Sequence, residues 1–171
     1  MSFLEQITLR RATESDLRAV LDIVHELLAT HVEASGGDLE TLTVDFLRAT
    51  MEDSTMLVSE LNGEPIGYLQ YQIVPPALVV NGAAVRSAYQ RQGIATHLFR
   101  HAVDDAAERG CDAVHISVQP TNVEVWETYL RHGFHEMEGE SHWNLPLVHE
   151  LSAVQTMLDD KMEQLNQTTD S

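Results

Sequence analysis

The stretch that most constrains this chain's fold joins an apolar strand to an amphipathic helix through a short polar loop. Residues 77–85 are mostly apolar and predict a buried strand, whereas residues 86–93 are mainly polar. Six apolar residues then recur at helical spacing: Ile94, Leu98, Phe99, Ala102, Val103 and Ala106. The loop therefore lies at a helix N-terminus, where unpaired amides and the helix dipole favour an anion.

Gly93 is the only glycine of this loop, and it is the fourth residue of the pattern Gln-x-x-Gly-x-Ala over residues 90–95. Glycine lets the backbone approach a ligand closely, and the small side chain of Ala95 keeps that approach open. We expect a larger side chain at residue 93 to enter the space of the bound group. A single glycine before a helix is also typical of a plain tight turn, so the loop alone leaves both interpretations open.

A second motif lies farther along the chain. Asn122 is followed seven residues later by Tyr129, and then by Gly133 and Phe134. Together with the loop, this element resembles the signature of the GNAT superfamily of acyl-CoA-dependent N-acetyltransferases, and the resemblance covers residues 7–145. It implies an α/β fold with a mixed, mostly antiparallel twisted sheet flanked by helices. One parallel strand pair would splay at the acetyl-CoA cleft.

The resemblance also implies acetyl-CoA as co-substrate, with its pyrophosphate on the loop amides, and no metal. The backbone N–H of Val85 becomes the donor to the thioester carbonyl, because family strands carry a bulge here that Asn81-Gly82 would tolerate. Asn122 is a candidate helix cap and a candidate partner of the pantetheine arm. The implied cofactor-binding residues are Val85, Gln90, Arg91, Gln92, Gly93, Ile94, Ala95, Thr96 and Asn122.

Acetyl transfer to an amine needs a proton for the departing thiolate. Tyr129 matches the family tyrosine with this role, and a phenol of pKa about 10 suits a thiolate of similar basicity. Its alternative role is that of a core aromatic. No family carboxylate can be carried over as the base, so His115, acting through water, is the candidate base, against the alternative of an ordinary structural histidine. An amine that arrives neutral would need no base.

The charge of the chain limits its partners. Net charge is −17, from 27 acidic and 10 basic residues, and the only lysine is Lys161. Such a surface repels phosphate backbones and anionic membranes and attracts ammonium groups, so we expect a small cationic or peptide amine as acceptor, without nucleic acid or membrane partners. The alternative is that the acidity reflects a salt-adapted organism and carries no information about the substrate.

Length and composition predict one domain. The resemblance implies that residues 1–146 form an acetyltransferase domain, and residues 147–171 are expected to be a helical extension. An apolar stripe after Pro146 predicts that this extension packs on the same domain or on a partner subunit in a homodimer. The chain has one cysteine, no apolar run near eighteen residues and no signal-like start, so we expect a cytoplasmic protein.

Periodicity predicts the remaining elements. Helices are expected from Leu17, from Thr43 or Asp45, from the loop to Gly110, and from Thr121 to Arg131 or His132. Strands are expected over residues 7–10, 55–61, 65–74, 77–85, 113–119, 134–138 and 141–145.

Three functions follow in order. The first is transfer of an acetyl group from acetyl-CoA to a primary amine of a small molecule or peptide, by direct attack in a ternary complex. The second is an acyl-CoA-binding regulatory module with weak catalysis, which the missing base carboxylate favours. The third, a generic phosphate-binding domain, does not account for the element around Tyr129.

Overall fold

The computed structural model describes residues 2–34, 42–118, 127, 130–136 and 145–169. Within these ranges, the side chains of residues 27–34, 117–118, 135–136, 145–148 and 168–169 are not described. The fold is a mixed sheet with helices on both faces, which confirms the expected class.

Seven strands are present in the described part of the chain, in the order β1-β2-β3-β4-β5-β7-β6. They are β1 (Thr8–Arg11), β2 (Thr55–Leu61), β3 (Glu64–Val74), β4 (Ala77–Val85), β5 (Ala113–Val118), β6 (His135–Glu136) and β7 (Leu145–Glu150). All neighbours are antiparallel except β4 and β5, whose connection crosses the sheet through a helix.

The helices are α1 (Leu17–Ala34), α2 (Val44–Met51), α3 (Ile94–Glu108) and α4 (Leu151–Thr169). They bury two separate apolar clusters. On one face α1 and α2 pack on the sheet through Leu17, Val20, Leu47 and others, with Tyr68 contributed by β3. On the other face α3 and α4 pack on the sheet through residues that include Leu98, Val103, Val154 and Leu158.

Local sequence signals account for most boundaries. Asn62 and Gly63 have φ angles of 53° and 86°, which closes the tight β2-β3 hairpin as expected. The Thr43 side chain accepts a hydrogen bond from the Phe46 amide and caps α2. Thr13 and Asp16 form a reciprocal capping box at the short helical turn that leads into α1.

The expected start of the last helix is wrong. Pro146 lies in β7 opposite Ser117, and α4 begins only at Leu151. Proline has no N–H to donate to a sheet, and the two residues that follow it, Leu147 and Val148, pair with β6. Leu147 belongs to the sheet, and its spacing of four from Leu151 gave a misleading helical pattern.

Helix α4 packs on the same domain as the sheet. Leu151, Val154 and Leu158 are buried in the cluster that also contains α3, and Arg100 of α3 pairs with Asp159 of α4 at 3.0 Å. In the ranges the structure describes, no helix is long and apolar enough to cross a membrane.

Candidate functional site

The site is built where β4 separates from β5. Opposite β3, Tyr71 pairs with Val80 and Gln70 with Gly82, so Asn81 is an extra residue and forms a bulge. The parallel pairing with β5 ends at Val80 and Ile116, although both strands continue. The strand pair therefore opens beyond Val80, as expected, and leaves one edge of β4 unpaired.

Backbone groups of β4 face this open edge. The amide of Arg86 donates to the Ile66 carbonyl of β3 at 2.9 Å. Because successive amides of a strand point to opposite edges, the amides of Val85 and Ala83 point away from β3 and toward the opening. The carbonyl of Val85 accepts a hydrogen bond from Gln90 Nε2 at 3.1 Å, which joins the strand to the loop. The sequence pointed to Val85 but not to Ala83, although Asn81-Gly82 carried the signal.

The loop after β4 turns sharply into α3. A 3-10 turn spans Ser87–Tyr89, and Arg91 and Gly93 adopt positive φ angles of 63° and 92°. Within the described chain, no hydrogen bond satisfies the amides of residues 91–96. These donors converge on a helix N-terminus, so the loop is suited to an anion with several acceptor oxygens.

A cavity of about 140 Å³ lies beside these amides. Its lining residues are Val85, Tyr89, Gln90, Arg91, Gly93, Ile94, Ala95 and Thr96. The structure thus brings together every loop residue expected at the cofactor site except Gln92, which is exposed and does not line the cavity.

Protein atoms lie close to the position where a side chain at Gly93 would begin. A Cβ atom there would lie 2.6 Å from Leu165 Cδ1 and 3.2 Å from Leu4 Cδ1. Atoms of α4 and of the N-terminal segment therefore lie against this side of Gly93, which also lines the cavity beside the loop amides. Gly93 is therefore needed for its positive φ and for the packing of Leu165.

The start of the loop is anchored to α1. The carboxylate of Glu26 accepts hydrogen bonds from the Ser87 hydroxyl and from the Ser87 amide, the latter at 2.9 Å. Hydrogen bonds from the Ser87 side chain and backbone, with a smaller contribution from the charge of Arg86, lower the pKa of Glu26. Tyr89 stacks on Phe3 with ring centroids 6.2 Å apart. Both contacts hold the loop against the body of the domain.

The structure does not bring His115 to Val85. His115 pairs with Val79 on β4 and with Val148 on β7. Val85 lies six residues beyond Val79, so it is roughly 20 Å farther along the strand at ~3.3 Å per residue. Tyr129 and Asn122 lie outside the described residues.

A second cavity of about 330 Å³ adjoins the first and includes part of α4. It is lined by Arg91, Gly93, Thr96, Lys161, Gln164 and Leu165. Among the residues that the structure describes, no three or more His, Cys, Asp or Glu side chains are grouped so that they could hold a metal ion.

Comparisons with known proteins define the class. The model of the acetyltransferase (GNAT) family matches residues 21–134. That match covers two thirds of the chain, and the chain belongs to this family.

Solved structures share its fold. The PaiA N-acetyltransferase from Thermoplasma acidophilum in complex with coenzyme A has a TM-score of 0.69 at 16% identity, covering 84% of this chain and 98% of that one. The ribosomal-protein-S18-alanine N-acetyltransferase from Escherichia coli has a TM-score of 0.66 at 19% identity, covering 85% and 94%. A putative acetyltransferase from Salmonella typhimurium with acetyl-CoA has a TM-score of 0.62 at 20% identity, covering 85% and 94%. A comparison with curated sequences gave no match.

Proposed function

We propose that the protein transfers an acetyl group from acetyl-CoA to a primary amine, by direct attack in a ternary complex. This proposal depends on one observation, that the open edge of β4 adjoins the N-terminus of α3. The unpaired edge of β4 meets a helix N-terminus whose loop amides, residues 91–96, have no acceptor in the described chain. Family membership makes the acyl-CoA the group that this junction is suited to hold.

The residues present fit such a cofactor. A pyrophosphate offers several acceptor oxygens to the amides of residues 91–96, and the dipole of α3 favours its charge. The extended amide-containing arm of CoA suits the open edge of β4, where the amides of Ala83 and Val85 are donors. Two of the solved relatives named above contain coenzyme A or acetyl-CoA, which supports the proposal.

The chemistry follows from this placement. Acetyl-CoA supplies the acetyl group as a thioester; the amine nitrogen forms the new bond to the carbonyl carbon, the carbon–sulfur bond breaks, and sulfur takes a proton. The Val85 amide would hold the carbonyl oxygen as it gains negative charge. Tyr129 would give the proton to sulfur. That role rests on the motif match, because Tyr129 lies outside the described residues.

We assign no proton acceptor to the amine. His115 is too far along the sheet from Val85 to act there, so the amine would arrive neutral or lose its proton to water. We propose a small cationic or peptide amine as acceptor, because the net charge of −17 attracts ammonium groups. The same charge argues against nucleic acid and anionic membrane partners, and we propose a cytoplasmic location.

The second candidate is an acyl-CoA-binding regulatory module. The distance between His115 and Val85 favours it, because that distance leaves the open edge without its candidate base. Calorimetry with CoA and thiol release over a panel of amines separate the two functions. Binding with thiol release that depends on the amine supports the enzyme, whereas binding without release from any amine supports the module. Absence of CoA binding would refute both.

The Tyr129→Phe variant tests the mechanism. We expect kcat to fall by about 10²- to 10⁴-fold, with little change in the KM for acetyl-CoA, because the lost donor acts in the transition state. Tyr71→Phe is the matched control, since the Tyr71 hydroxyl donates to Asp105 of α3 at 2.7 Å and takes no part in the site. Unchanged turnover in Tyr129→Phe would refute the assigned role.

A further inference from the structure

Helix α4 brings positive charge to the loop between β4 and α3 from outside the family match. That match ends at residue 134, whereas α4 spans Leu151–Thr169. Three of its residues line the cavity of about 330 Å³ together with the loop: Lys161, Gln164 and Leu165. We propose that Lys161 binds a phosphate group of the CoA nucleotide. The proposal rests on the function proposed above and adds a residue that the family pattern does not contain.

The position of Lys161 is set by packing on both sides. Leu158, three residues earlier, is 2% exposed in the core beneath α3. Leu165, four residues later, lies against Gly93 of the loop. Residues at spacings of three and four share one face of a helix, so Lys161 lies between two apolar anchors on the face toward the loop. The ion pair of Arg100 with Asp159 further joins α3 to α4.

Most basic side chains in the described residues are already paired with carboxylates. Among the residues that the structure describes, six basic side chains form ion pairs with acidic side chains: Arg10, Arg18, Arg48, Arg86, Arg100 and Arg109. Neither Arg91 nor Lys161 has an ion pair within the described chain, and both line this cavity. Two cations without carboxylate partners, beside an amide-rich helix terminus, make a site for a polyanion.

Lys161 also acts on a neighbouring titratable group. Burial lowers the pKa of His132, and the positive charges of Lys161 and Arg131 lower it further. The hydroxyl of Thr96 and the side-chain amide of Gln164 add hydrogen-bonding groups to the same cavity wall. The carboxylates nearest to Lys161 in sequence are those of Asp159, Asp160 and Glu163, and of these Asp159 is paired with Arg100.

The test measures affinity by calorimetry, without reference to turnover. CoA and 3′-dephospho-CoA are titrated into the wild-type chain, Lys161→Met and Lys161→Arg. Methionine keeps the length and helix propensity of the side chain and removes its charge. Arg109→Met is the control: it lowers net charge equally but lies beyond the C-terminal end of the 15-residue α3, about 22 Å from the loop at 1.5 Å per residue.

We expect Lys161→Met to weaken CoA binding by about 3- to 20-fold at low salt, with Lys161→Arg and Arg109→Met near wild type. A loss confined to CoA assigns Lys161 to the 3′-phosphate, and an equal loss for 3′-dephospho-CoA assigns it to the pyrophosphate. Equal CoA affinity in Lys161→Met and the wild type would overturn the inference and leave the proposed function intact. A wild-type chain that binds no CoA would overturn both.

Discussion

The contact between Gly93 and Leu165 allows a quantitative test of how α4 packs on the loop. The Gly93→Ala substitution should lower the free energy of unfolding for two reasons. A residue with a Cβ pays about 1–2 kcal/mol for the left-handed conformation at φ 92°. The new Cβ would also lie 2.6 Å from Leu165 Cδ1, about 1 Å inside the preferred carbon–carbon separation. Overpacking of this kind costs about 1–3 kcal/mol.

Gly110→Ala is a matched control for the first cost. Gly110 follows the other end of α3, has a φ of 81°, and has nothing within 4 Å of the position a Cβ would take. It should therefore lose only about 1–2 kcal/mol of unfolding free energy. The difference between the two variants isolates the collision with Leu165. Adding Leu165→Ala to Gly93→Ala should remove that difference, with a coupling energy of about 1–3 kcal/mol.

Urea denaturation of the wild type, the three single variants and the double variant measures each quantity. Equal losses for Gly93→Ala and Gly110→Ala, or strict additivity in the double variant, would refute the packing of Leu165 on Gly93. The same result would remove one of the anchors that position Lys161.

Three further predictions concern the Asp16–Arg10 ion pair, the anchoring of the loop by Glu26 and the choice of acceptor. Asp16 pairs with Arg10 at 2.7 Å, and this hydrogen-bonded pair lowers the Asp16 pKa from 3.8 to about 2. Because the pKa is lower in the folded state than in the unfolded state, the pair contributes about 2 kcal/mol to the unfolding free energy above pH 4. That contribution is lost as the pH falls toward 2. Denaturation across that window should show the loss in the wild type and a flatter profile in Asp16→Asn, and identical profiles would contradict it. Glu26→Ala removes the acceptor of the Ser87 bonds and should weaken CoA binding by less than about fivefold with the fold unchanged by circular dichroism; tighter binding would count against the anchoring role. If the acidic surface selects the acceptor, kcat/KM for polycationic amines should fall as salt rises, and equal, salt-independent activity on neutral amines would refute that selection.

The sequence predicted the site where the determinants were local. The apolar run up to Val85, the polar loop and the helical spacing from Ile94 each depend on neighbouring residues, and the structure confirms these elements. The opening between β4 and β5 could be anticipated only through the family resemblance, because a strand's partner is not encoded in its own periodicity.

Long-range placement was not predictable in the same way. Nothing around Lys161 or Leu165 indicates that α4 returns to the loop, because the stripe of apolar residues defines a buried face but not what covers it. Likewise, the spacing of Leu147 and Leu151 fits a helix as well as the end of a strand, and Pro146 favoured the wrong choice. In the structure Leu147 pairs with Ile116 of β5, so it belongs to a strand.

The extra residue at Asn81 also determines to which face of the sheet the later side chains of β4 point. Val80 and Val85 are both buried in the cluster beneath α3, yet they are five positions apart, and an odd separation in a regular strand would send them to opposite faces. The extra residue of the bulge offsets the odd separation and returns both side chains to the same face. A chain one residue shorter here would keep every neighbouring side chain but turn the last part of β4 over, so the site depends on a count of residues as much as on their identity.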